Sequence, residues 1–257
     1  MNRIEKVFDN LRRQGKKAFI PYIMAGDPDL EKTREIVLLF ERIGADIVEL
    51  GIPFTDPLAD GPTIQRASER GLAKGVTLTR VLDFTKELRK DTDIPVVFMT
   101  YYNPLFKYGE ERFVRDAVLS GVDGLIVPDL PPEEAGELIR FSRKAGLATI
   151  FLLAPTSTED RIKKVAKASK GFIYYVSITG ITGSRLNIDE SLFNSIKRIK
   201  EMTDKPLCVG FGVSNPEEAS RMAAIADGVI VGSAIVRRLE ESPDSLEDFV
   251  TDLRKAI

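Results

Sequence analysis

Two carboxylates carry the strongest chemical signal in this chain of 257 residues. Glu49 interrupts the apolar run Ile47-Val48-Glu49-Leu50, and Asp60 follows eleven residues later, in the loop sequence Pro53-Phe54-Thr55-Asp56-Pro57-Leu58-Ala59-Asp60-Gly61-Pro62. The chain has no histidine and one cysteine, so proton transfer falls to carboxylates, tyrosine, lysine or that thiol. A glutamate set between Val48 and Leu50 is expected to lose hydration, which raises its pKa and keeps a proton on it near neutral pH. Asp60, in a polar loop, is expected to stay ionised. Such a pair suits general acid/base chemistry, with two carboxyl groups held in different environments. The plainer reading of Glu49 is a buried residue held by a structural hydrogen bond, and of Asp60 a turn former beside Gly61.

Both residues need a scaffold, and the hydrophobic pattern supplies one. Apolar runs at Ala18 to Ile23, Ile47 to Leu50, Val96 to Met99, Gly124 to Val127, Thr149 to Leu153, Phe172 to Val176, Pro206 to Val209 and Gly228 to Val231 read as parallel strands buried on both faces. Amphipathic segments alternate with them at Leu30 to Ile43, Leu78 to Arg89, Glu110 to Leu119, Pro132 to Lys144, Thr158 to Ala168, Ile188 to Met202 and Pro216 to Ile225. Asp29, Thr77, Ser157, Asn187 and Asn215 stand where helix caps belong. Eight βα units without a linker predict an α/β fold, a (β/α)8 TIM barrel that forms a single domain over residues 1–257, with an extra N-terminal helix over Val7 to Gln14. A doubly wound open sheet would carry a glycine-rich first βα turn, and Met24-Ala25-Gly26-Asp27-Pro28 is not one.

Composition narrows the partners. The net charge of −2 gives no electrostatic footprint for nucleic acid or an anionic membrane. No apolar run reaches the length of a membrane span and the first residues lack a signal-peptide core, so the chain reads as cytoplasmic. Cys208, between Leu207 and Val209, reads as core filler, and the histidine-free composition leaves no zinc site.

In a barrel, function collects at the C-terminal strand ends. Gly210-Phe211-Gly212-Val213-Ser214 and Gly232-Ser233-Ala234 place small residues before helices, the pattern of a phosphate site built from backbone N–H groups and a helix dipole. Tight βα turns alone would also explain one such glycine. Ser177 to Arg185 is long and glycine-rich, which suits a lid. Tyr174 and Tyr175 alternate on one strand, so only one can face inward, and either could be core.

The segment from Glu49 to Gln65, with Ile20 to Pro28, Val127-Pro128-Asp129-Leu130-Pro131, Tyr174 to Gly183 and Gly210 to Ser214, resembles the tryptophan synthase alpha chain family along the whole length. The resemblance implies a carbon–carbon lyase without a cofactor of its own, which splits indole-3-glycerol phosphate into indole and glyceraldehyde 3-phosphate. It implies Glu49 as principal acid/base, Asp60 as the partner of the indole N–H, and Tyr174 as the active-site tyrosine. Gly183, Gly212, Gly232 and Ser233 would hold the phosphate. Tyr22 and Phe211 would flank the indole, and Thr182 would be the lid residue that contacts Asp60. It further implies a beta chain that carries pyridoxal phosphate, receives indole directly and completes an αββα tetramer. Pro53, Phe54, Asp56, Asn103, Leu105, Phe106, Asp129, Pro131 and Pro132 would meet that partner, the apolar ones as an exposed cluster at the barrel mouth. Two departures stand out: Tyr22 where many relatives have Phe, and Ile178-Thr179 where many have an arginine and a small residue. Competing readings are another phosphate-site barrel, such as an indole-glycerol-phosphate synthase or an isomerase, and a non-catalytic regulatory subunit that binds the same ligand.

Overall fold

The computed structural model describes residues 2–176, 190–210 and 212–257. Its strands are β1 (Ala18–Met24), β2 (Val48–Gly51), β3 (Val96–Met99), β4 (Gly124–Ile126), β5 (Ala148–Ile150), β6 (Leu152–Leu153), β7 (Ile173–Val176), β8 (Leu207–Gly210) and β9 (Gly228–Val231). All pair in parallel, in the order β5-β4-β3-β2-β1-β9-β8-β7-β6. The two end strands are separated by Phe151 alone and together cover the run expected at Thr149 to Leu153, starting one residue earlier at Ala148. One interrupted strand therefore closes the ring, and the expected eight become nine by that interruption. Phe151 stays in the ladder, since its carbonyl accepts from Tyr174 N–H at 3.1 Å.

Alternation along each strand sorts side chains into two layers. Inside the barrel lie Ile20, Val97, Ile126, Ile150, Tyr174, Cys208 and Ile230, while Phe19, Leu50, Phe98, Tyr175 and Val209 pack outward against the helices. Cys208 is fully buried in the inner layer, as expected of a core filler.

The helices are α1 (Arg3–Gln14), α2 (Leu30–Arg42), α3 (Pro62–Ala73), α4 (Leu78–Leu88), α5 (Tyr102–Tyr108), α6 (Glu110–Leu119), α7 (Gly136–Ala145), α8 (Glu159–Ala168), α9 (Glu190–Met202), α10 (Pro216–Ile225), α11 (Ser233–Glu241) and α12 (Leu246–Ala256). The N-terminal helix starts four residues earlier than expected, because Asn2 and Glu5 form a capping box. Its Ile4, Phe8 and Leu11 plug the floor of the barrel, Phe8 against Phe172 at 5.7 Å. Gly124 makes room for this plug: a Cβ there would stand 2.8 Å from Ile4 Cδ1.

Asp29, Thr77 and Asn215 cap α2, α4 and α10 as expected. At α8 the cap is Thr158 rather than Ser157, whose hydroxyl instead accepts from Ala154 N–H at 3.0 Å. Asn187 lies outside the described residues. Pro131 to Ala135 form a turn before α7, which delays that helix from the expected Pro132 to Gly136. Helices α3, α5, α11 and α12 have no counterpart in the amphipathic segments read from the sequence, and two of them shape the site. Among the described residues no helix is long and apolar enough to cross a membrane.

Candidate active site

Strand β2 lifts Glu49 to the C-terminal mouth of the barrel with its side chain turned inward, 1 % exposed. Among the described residues neither carboxyl oxygen has a hydrogen-bond partner. Desolvation, followed by the charge of Asp60, pushes its pKa up to about 8, the direction its apolar neighbours predict.

The loop after β2 is held from three sides. Phe54 N–H donates to Ser68 Oγ on α3 at 2.9 Å, and the same hydroxyl donates back to Phe54 O. Pro53 seats on α3 where Gly71 leaves space, a Cβ there lying 2.8 Å from its Cγ. Ala59 N–H donates to Tyr101 Oη at 2.9 Å, and Gln65 Nε2 donates to Asp60 O at 2.8 Å. The loop thus folds over the mouth and brings Asp60 into one cavity with Glu49. The polar loop does not leave Asp60 in open solvent: burial raises its pKa to about 6, opposed by a hydrogen bond from Tyr101. At neutral pH it still carries its charge.

The cavity measures about 510 Å³. Tyr22, Met99, Leu152, Tyr174 and Ile230 give it apolar walls, and Gly210, Gly212, Ser214, Gly232 and Ser233 line the side formed by β8, β9 and the turns after them. Its size and its few convergent polar groups suit a small organic ligand with one charged end.

Tyr22 and Tyr174 each lean across a glycine on the neighbouring strand. Tyr22 lies opposite Glu49 in register, and its Oη stands 2.2 Å from where a Cβ on Gly51 would be. Tyr174 lies opposite Cys208 and stands in the same relation to Gly210, with its Oη at 2.2 Å. That settles the alternation: Tyr174 faces the cavity and Tyr175 the helix layer. Burial and the nearby carboxylates raise both hydroxyl pKa values well above the ordinary value, so the two phenols stay neutral.

The two glycine turns differ in what their helices offer. Helix α10 is closed by Asn215, whose side chain accepts from Glu218 N–H at 2.9 Å, while Glu218 accepts from Ser214 N–H at 2.7 Å. Helix α11 begins at Gly232 and Ser233 with no side-chain cap among the described residues, so its first-turn N–H groups can serve an anion in the cavity. Gly183, Thr182, Phe211 and Ile178-Thr179 lie outside the described residues.

With this geometry in place, comparison with known proteins decides the family. The profile of the tryptophan synthase alpha chain matches residues 8–256. The chain belongs to the tryptophan synthase alpha chain family. It is 53% identical to the tryptophan synthase alpha chain of Geotalea daltonii, across 94% of this chain and 91% of that one. With the alpha chain of Geobacter sulfurreducens it shares 49% over 100% and 99% of the two lengths. Among solved structures, tryptophan synthase subunit alpha from Legionella pneumophila superposes with a TM-score of 0.93 at 39% identity, covering 100% of this chain and 98% of that one.

Within the family frame, the residues expected at a partner surface divide. Asp56, Asn103, Phe106 and Asp129 are exposed around the mouth, Phe106 at 65 %, while Phe54, Pro131 and Pro132 are half-buried. Leu105 and Pro53 are corrections: Leu105 is 0 % exposed in the outer core and Pro53 is buried against α3, so neither belongs to an exposed cluster. Leu58, 94 % exposed at the tip of the loop, was not singled out by the sequence pattern. Two further site residues were missed. Tyr101 stands at the N-cap of α5 and touches Asp60, and Arg237 lines the cavity from α11. Spacing could have found the second, four residues after Ser233 on a helix. Among the described residues no group of three or more acidic, cysteine or histidine side chains could hold a metal ion.

Proposed function

We propose that this cavity performs the cleavage that defines the family, retro-aldol scission of indole-3-glycerol phosphate to indole and glyceraldehyde 3-phosphate, with Glu49 and Asp60 as its working pair. One observation carries the assignment: a buried carboxyl with no hydrogen-bond partner among the described residues and a pKa near 8 shares a cavity with a second carboxyl near 6. At neutral pH the first holds a proton and the second a charge, the division of labour the reaction needs.

Glu49 donates its proton to indole C3, which makes the ring cationic. Asp60 accepts from the indole N–H as positive charge gathers there. The glycerol hydroxyl on the carbon bonded to C3 then returns its proton to Glu49 as the C–C bond breaks, its oxygen becoming the aldehyde and the bonding pair restoring the indole. Glu49 ends protonated, so no cofactor is consumed. Tyr174 and Tyr22 wall the ring, Tyr22 extending from Gly232 to Gly51. Gly212, Gly232 and Ser233 receive the phosphate at the open start of α11, and Thr182, Gly183 and Phe211 complete the site in this reading.

The partner in this reading is a beta chain bearing pyridoxal phosphate, which takes indole directly in an αββα assembly. Exposed Leu58 and Phe106 beside the cavity mouth, with Asp56, Asn103 and Asp129 around them, supply a mixed apolar and polar docking rim.

The test is release of glyceraldehyde 3-phosphate from indole-3-glycerol phosphate, with and without a beta chain. Glu49→Gln is expected to abolish release while leaving binding intact, and Asp60→Asn to lose most of kcat with KM changed less. A wild-type chain that binds the substrate yet never cleaves it would point to a regulatory subunit instead.

A further inference from the structure

Among the described residues one basic side chain lines the cavity, Arg237. Its neighbours on and around α11 are all engaged. Arg238 donates to Ser245 Oγ at 3.2 Å and stacks over Phe249 at 4.7 Å. Arg66 and Arg70 both reach Glu240, each with a contact of 2.9 Å, and Arg70 also grips Asp27 with two hydrogen bonds of 2.6 and 2.8 Å. Arg237 is half-buried and has no hydrogen-bond or ion-pair partner among the described residues.

Its place on the helix gives it direction. Arg237 follows Ser233 by four residues, one turn along the same face, and helical side chains lean toward the N-terminus. A lean of that kind would carry the guanidinium along the cavity wall toward the first turn of α11, the end at which the lyase reading puts the substrate's phosphate. A phosphate monoester brings about −1.5 to −2 charges. Ionised Asp60 adds another negative charge in the same cavity, whereas a helix terminus offsets only roughly half a charge. Backbone donors alone would leave that excess uncompensated in a desolvated site.

We propose that Arg237 is the cation that pairs with the substrate's phosphate and makes this site select phosphorylated over neutral glycerol side chains. Its planar fork of donors matches a phosphate's oxygens, adding a charge-assisted contact to the backbone cradle. The assignment rests on the lyase reading above, and the experiment separates the two.

Equilibrium binding of inorganic phosphate and of glycerol 3-phosphate would be measured for the wild type, Arg237→Met and Arg237→Lys, alongside kcat and KM for indole-3-glycerol phosphate. Unphosphorylated indole-glycerol would serve as the neutral competitor. The expected result for Arg237→Met is a loss of about tenfold or more in affinity for both phosphates and a matching rise in KM, with kcat reduced less than about threefold. Affinity for the neutral competitor should stay within about twofold, and lysine should restore part of the loss. Equal weakening toward charged and neutral ligands would reveal a structural role and overturn the proposal, as would unchanged phosphate affinity. Should Arg237→Met fail to fold, Arg237→Gln decides, since it keeps length and hydrogen-bonding capacity but not the charge: a phosphate affinity equal to wild type overturns the proposal. A wild type that binds phosphate through Arg237 but cleaves nothing would refute the lyase reading and leave the contact standing.

Discussion

Glu49 is held in a position that costs the fold stability, and the cost can be measured by removing its charge. An unfolded glutamate titrates near 4.5, whereas burial holds the folded group near 8. Between those values the native state keeps a proton that the unfolded chain releases, so stability falls as pH rises through that window and levels off above about 8. Each unit of separation is worth about 1.36 kcal/mol, so the native protein has lost about 3 kcal/mol at pH 7 and ~5 kcal/mol above pH 9. Glu49→Gln keeps the shape and cannot ionise. The variant should therefore match wild type at pH 4 and exceed it by about 3 kcal/mol at pH 7, while being inactive. Urea unfolding followed by far-UV circular dichroism is the suitable assay, since the chain has no tryptophan to report by fluorescence. A variant no more stable than wild type at pH 7 to 9, or a difference that does not change with pH, would refute the buried, unpartnered carboxyl.

A pH profile and three other substitutions probe the supports of the pair. With Glu49 needed protonated and Asp60 ionised, kcat/KM should rise through about 6 and fall through about 8. Tyr101→Phe removes a hydrogen bond that favours the charged form of Asp60, so its acidic limb should move to higher pH while the limb near 8 holds; an unmoved acidic limb would free Asp60 of Tyr101. Gly51→Ala puts a Cβ 2.2 Å from Tyr22 Oη and 2.8 Å from its Cζ, which should destabilise by about 1–3 kcal/mol. Adding Tyr22→Phe relieves the closer contact and should recover part of that loss; strictly additive effects in the double-mutant cycle would show that the two do not touch.

The sequence made Glu49 legible because a charged residue inside an apolar strand has few innocent explanations, and the strand's buried surroundings fix the direction of its pKa. Asp60 was legible as a residue but not as an environment. Its burial depends on Tyr101 from another βα unit and on Ser68 and Gly71 of α3, contacts with no local signature around Asp60 itself. Helix α3 did announce itself, with Pro62 at its first position after Gly61, a start signal that the carboxylates overshadowed. Loop exposure was the weakest inference. Pro53, Leu105 and Leu58 are all apolar loop or short-helix residues, yet two turn inward and one points to solvent, and only the packing of α3 and α5 decides which. Strand alternation alone left Tyr174 and Tyr175 open; the family resemblance chose Tyr174, and it is Tyr174 that lines the cavity while Tyr175 packs outward.

The interlocked tyrosines connect these points. A closed eight-stranded barrel is normally filled by its own side chains, so a ligand cavity at the mouth requires side chains to be absent at chosen strand ends. Gly51 and Gly210 provide those gaps, and Tyr22 and Tyr174 lie across them, each two residues beyond its in-register partner along the neighbouring strand. The rings offer Glu49 no hydrogen bond, and among the described residues both its buried carboxyl oxygens are unpartnered, with burial raising the pKa that keeps the proton in place. A hydrogen bond from either tyrosine to the ionised form would make the fold more stable at neutral pH and the acid weaker at its task, because it would draw the pKa of Glu49 back toward 4.5. The stability forfeited at Glu49 and the capacity to protonate a carbon atom therefore have one physical source, and a substitution that restores the first by supplying a partner should diminish the second.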